Sequence, residues 1–205
     1  MIELFVSAFV TFFVVIDPPG CAPIFAGLTA GASAAHRRAM AIRAVMVAAG
    51  ILLTFAFIGE PLLHGLGIEL ASFRIAGGIM LFLIALEMVF EKRTQRREDR
   101  ASKISPEEAD DVSIFPMAMP MIAGPGSIAT VMLLMARAHG ATNSAVVMAA
   151  LAANLALMLV SLLAAGPLMR VLGAKIEAVI TRLLGVLLAA LAVQFVIDGV
   201  MEQLR

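Results

Sequence analysis

The chain has no tryptophan and no tyrosine, a single cysteine, and charge on only 15% of its 205 residues. Each shortage excludes something. Cys21 alone cannot build an intrachain disulfide framework. Without Trp or Tyr there is no ordinary aromatic belt, so Phe and charged flanks must set any membrane depth. Soluble domains carry about a quarter charged residues, and this chain falls well short. His36, His64 and His139 fall in predicted loops with no metal-ligand spacing among them. No metal is expected. There is no nucleophile–base pair and no phosphate loop. The expectation is a protein that is not an enzyme, needs no cofactor and binds no nucleic acid.

What is present is apolar sequence, 61% of the chain, gathered into long runs. Six runs, about 3–29, 40–63, 74–91, 112–136, 144–168 and 180–201, are each tested as a span of ~20 residues. They leave no room for a soluble domain, so 1–205 reads as one membrane domain. The first run lacks a basic leading segment and a cleavage site, and is kept as a span rather than a signal peptide.

The basic residues orient the spans. Place the N-terminus on one face. Arg37, Arg38, Arg43, Lys92, Arg93, Arg96, Arg97, Arg100, Lys103, Arg170, Lys175 and Arg182 then share the opposite face, twelve of the fifteen Lys and Arg. Only Arg74, Arg137 and Arg205 remain on the first. The positive-inside rule makes the rich face cytoplasmic and puts both termini outside. The loop 92–111 is a mixed-charge cytoplasmic linker.

The halves resemble each other. Pro19 and Gly20 match Pro125 and Gly126 at an offset of 106, and Pro61, Leu66 and Gly67 match Pro167, Leu172 and Gly173 at the same offset. Arg74 and Gly77 match Arg182 and Gly185 at 108. Repeat one is 1–91 and repeat two 112–205. Three spans per half make the second enter from the opposite face. The expected fold is all-α: six transmembrane helices in two inverted three-helix repeats.

In "FVVIDPPGCAP", Pro18 and Pro19 obstruct continuous helix and Gly20 relaxes it. In "PMAMPMIAGPGSIAT" the fourth span repeats the device with Pro116, Pro120, Gly124, Pro125 and Gly126. Helices 1 and 4 are therefore expected to break near mid-membrane, which is tolerable only where the break is buried in protein or lines a cavity. Asp17 before Pro18 suits a helix cap. Its counterpart is Ala123, so Gly124, Gly126 and Ser127 can leave N–H groups free for an external acid. This predicts a zwitterion site: carboxylate at the second break, ammonium near Asp17. A purely structural cap is the other reading of Asp17. Asn154, midway along span five, is a site residue or interhelical glue. Glu87 and Asp198, near span ends, read as locally paired rather than as proton relays.

"VVIDPPGCAPIF" and "PMIAGPGSIATVMLL" resemble the two signature stretches of the MarC family of bacterial inner-membrane proteins. The likeness covers essentially the whole chain. The family belongs with the amino-acid exporters related to lysine exporters, and an archaeal relative carries small neutral amino acids. The resemblance implies a transporter of such substrates, coupled to protons or sodium, with site positions Asp17, Pro18, Pro19, Gly20, Gly124, Pro125, Gly126 and Ser127. The family's first motif often has a variable residue before its glycine; here proline fills that place too.

A channel or passive facilitator built on the same breaks, and a non-transporting membrane protein, are the alternatives. Besides substrate and coupling ion, the bilayer is a partner. Whether the chain forms a homo-oligomer is left open.

Overall fold

A computed structural model describes residues 1–92, 95, 96, 99 and 111–204, with the side chains of 167–175 and 177 outside the description. Most of the 92–111 linker therefore lies outside the described residues. Among the described residues every regular element is helical: α1 (Ile2–Ile16), α2 (Pro18–Leu28), α3 (Ala34–Gly65), α4 (Leu70–Val89), α5 (Ser113–Ile122), α6 (Pro125–Arg137), α7 (Ala141–Leu163) and α8 (Ala165–Gln203). α5 winds in wide π-type turns and leaves helical geometry at Phe115 and Met119, each followed by a proline.

Among the described residues, five apolar lengths are long enough to cross a membrane, among them Ile2–Leu28, which joins α1 and α2. The bent pair α5 and α6, 52° apart, makes a sixth if taken as one span. The loops are shorter than the apolar runs suggested. α3 begins at Ala34, where Ser33 accepts a hydrogen bond from the His36 N–H at 3.3 Å. α8 runs through 169–182, where a loop was expected. His36 and His64 consequently sit in the first and last turns of α3, not in loops. Helix persists there because Ala, Leu, Arg and Lys favour it even where the sequence turns polar.

α4 and α8 form the most extensive helix pair. Glycine makes their approach possible. A Cβ on Gly78 would lie 2.8 Å from the Ala192 carbonyl, and one on Gly199 would lie 2.9 Å from that of Ala71. Small residues let helix backbones meet where lipid gives no hydrophobic drive for association. α1 and α5 pack inside: α1 against α6, α7 and α8, and α5 against α2 and α3. Phe12, Ile16, Phe25, Met117, Ile122 and Leu133 are fully buried there. Outward, Phe57, Ile79, Val160, Leu183 and Val186 are exposed, an apolar surface suited to acyl chains rather than water.

Candidate functional site: two helix junctions and a cavity

At the first junction α1 closes and α2 opens on one residue. Asp17 adopts the left-handed conformation, φ 59° and ψ 65°. Its N–H donates to the Phe13 carbonyl at 2.9 Å, and its carboxylate accepts from the Gly20 N–H at 3.1 Å. Pro18, which has no N–H to satisfy, takes the first helical position. The acid thus meets an α2 donor and offsets the positive end of that helix dipole. Asp17 is 1% exposed.

The second junction lacks that device. Gly124 stands where a cap would stand and has no side chain; none caps α6. A helix leaves its first N–H groups without internal acceptors. Gly126 and Ser127 are in that turn, both buried. They border a cavity of about 300 Å³ with Gly124, Pro125, Val15 and the α4 residues Met80, Leu83, Ile84 and Glu87. Arg96 completes the charged part of its wall, its guanidinium 2.7 Å from Glu87. The uncapped helix end can take a carboxylate, Glu87 an ammonium, and Met80, Leu83 and Ile84 leave room for a small apolar side chain.

The two junctions are neighbours. A Cβ on Gly126 would come within 3.5 Å of Val15 Cγ1, two residues before Asp17. Yet Asp17, Pro18, Pro19, Gly20 and Asn154 are not among the residues lining the cavity.

A family model described as MarC family integral membrane protein matches residues 2–204. The chain belongs to the MarC family. It is 37% identical over 201 residues to the UPF0056 membrane protein YvbG of Bacillus subtilis, covering 97% of this chain and 95% of that one. It is 36% identical over 202 residues to a UPF0056 membrane protein of Methanocaldococcus jannaschii, covering 97% of each. With the UPF0056 inner membrane protein YhgN of Escherichia coli it shares 32% identity over 195 residues, 95% of each chain. No solved structure matches.

In this MarC family member Asn154 is fully buried and ties α7 to α1. Its amide N–H₂ donates to the Phe9 carbonyl at 3.0 Å and to the Ala150 carbonyl at 3.1 Å. The amide nitrogen thus links two helices, while Oδ1 is buried with no partner among the described residues. Glu87 and Arg96 are the charged wall residues, and Val15, Met80, Leu83, Ile84, Pro120 and Met121 the uncharged ones, that sequence reasoning left out of the site. Glu87 lies one turn from the end of a span, where local pairing is the ordinary reading, and it is indeed paired. That α4 brings it alongside the second junction has no trace in the local sequence.

Proposed function

We propose that this MarC family protein is a secondary transporter of small neutral amino acids, or similar small zwitterions, coupled to a proton or sodium gradient. The observation that carries the reading is the uncapped N-terminus of α6 beside a cavity whose wall also holds Glu87. In this reading the Gly126 and Ser127 N–H groups hold the substrate carboxylate. Glu87 faces the ammonium, and Asp17 keeps the neighbouring junction folded.

The reading includes two inverted repeats, 1–91 and 112–205, broken near mid-membrane, with both termini outside. Support comes from packing that occurs in mates. α1 lies on α7 as α5 lies on α3; α2 lies on α8 as α6 lies on α4. Exchanging the halves turns each contact into the other.

The test is radiolabelled alanine or glycine flux into proteoliposomes under imposed gradients. Coupled flux that a Gly126→Leu substitution abolishes is expected. Flux indifferent to both gradients would instead make the protein a passive facilitator, and no flux would remove transport altogether.

A further inference from the structure

A second cavity, of about 410 Å³, lies at the other end of the same α4–α6 seam. The first cavity touches α6 at Ser127 and α4 at Glu87; the second touches them at Arg137 and Arg74. Ser127 to Arg137 is roughly 15 Å along a helix at 1.5 Å per residue. Between the two the seam is closed. A Cβ on Gly77 would lie 2.9 Å from Leu133 Cδ1, and Leu81 and Leu133 are fully buried.

Four charged groups wall the second cavity. Arg74 pairs with Glu202, and Arg137 with Asp198. The Arg137 guanidinium also lies 4.5 Å from the centre of the Phe195 ring, while Gln194 Nε2 donates to Asp198 at 2.7 Å. Two cations and two anions border one space, with the His139 imidazole beside them. One donor is unmet. Arg74 Nε is buried and has no acceptor among the described residues. A carboxylate entering beside Arg74, which borders the cavity, would meet a guanidinium, and a hydrogen bond between two charged groups is among the strong ones. An inorganic cation would meet two guanidiniums, and a plain anion two carboxylates. Leu70, Ala136 and Met201 supply apolar wall.

The geometry points to this outer cavity as a second binding site for a small amino-carboxylate, its acid toward Arg74 and its ammonium toward Glu202 and Asp198. The assignment rests on the transporter reading for its choice of ligand. The seam then carries one site at each end with a dry plug between them. Substrate leaving one site would meet the same chemistry at the other.

Labelling tests it without transport. Met201 lines the cavity and is exposed, whereas Cys21 is buried. Met201→Cys in a Cys21→Ser background is reacted with a membrane-impermeant thiol reagent in detergent. Glycine, acetate and methylammonium are the probes. Glycine is expected to slow labelling roughly tenfold at ten times its Kd, by simple occupancy. Acetate and methylammonium at the same concentration should not. Arg74→Gln should abolish the protection and Gly126→Leu should spare it. If Arg74→Gln does not fold, the three probes on the Met201→Cys protein decide alone. Equal protection by acetate or methylammonium overturns the zwitterion assignment, and no protection by glycine overturns the site. Protection lost in Gly126→Leu would trace the signal to the inner cavity and also overturn it. Protection without flux in proteoliposomes would leave this site standing while the transporter reading fell; coupled flux without protection would do the reverse.

Discussion

Arg74, near the start of α4, pairs with Glu202 in the last turn of α8. At the other end of the same helix pair Arg182 of α8 pairs with Glu91, just past α4. The chemistry is the same and the burial is not. The Arg74 side chain is 12% exposed and that of Arg182 54%. Removing the partner of a buried charge costs about 1–3 kcal/mol, whereas an exposed ion pair contributes about 0–1 kcal/mol. Glu202→Gln should therefore lower thermal stability in detergent clearly, and Glu91→Gln barely. Equal losses would contradict this account.

Asp17 does two things that different substitutions separate. It caps α2 and it occupies left-handed space, at φ 59°. Asparagine can do both, because its amide oxygen caps and its short side chain tolerates that conformation. Alanine can do neither. Asp17→Ala should lose about 0.5–2 kcal/mol for the cap and roughly another 1–2 kcal/mol for the backbone. Asp17→Asn should retain both stability and flux. A folded Asp17→Asn protein without flux would show that the negative charge itself is used.

The two glycines of the second junction predict opposite outcomes for one methyl group. At Gly124 a Cβ would lie 2.4 Å from the Pro120 carbonyl oxygen, a backbone atom that cannot swing aside. At Gly126 it would meet Ile84 Cδ1 at 2.5 Å, the tip of a flexible side chain. Gly124→Ala should cost about 1–3 kcal/mol or more, the range for overpacking, and reduce the folded yield seen by gel filtration. Gly126→Ala should fold, with the displaced Ile84 narrowing the cavity and raising the KM for flux.

Asp111, ahead of α5 and outside the spans, gives an acid-side signature. Burial pushes its carboxyl up, but hydrogen bonding from Ser113, whose N–H lies at 3.0 Å, and the neighbouring Arg43 outweigh that and hold it below the usual carboxylate range. A depressed folded pKa means stability present above the unfolded value of about 3.9 and lost as pH falls through the folded one. Asp111→Asn should melt below the wild type at pH 7. The gap should close as pH drops through the range below 4. A constant gap would show that the charge contributes nothing.

Some of this was legible in the chain itself. The apolar runs announced helices able to cross a membrane, since hydrocarbon forces every backbone group into local hydrogen bonds and leaves helix as the simple solution. Asp17 before Pro18 announced a cap, and Asn154 a buried amide in need of acceptors. Loop lengths were less legible, because polar residues in 34–43 and 169–182 end an apolar run without ending a helix.

The sequence by itself determined the all-helical membrane character, the family, and the two helix junctions, all of which follow from local apolarity and from proline and glycine chemistry. Only the tertiary structure decided which acid lines the cavity at the uncapped end of α6: Glu87 does, and Asp17 is outside that lining. It alone decided that Arg74 and Arg137 border one cavity with Glu202 and Asp198. Local patterns fix how a segment winds. Which side chains meet depends on how closely small residues let helices approach, and that is set by pairs of segments more than a hundred residues apart, as with Gly78 and Ala192.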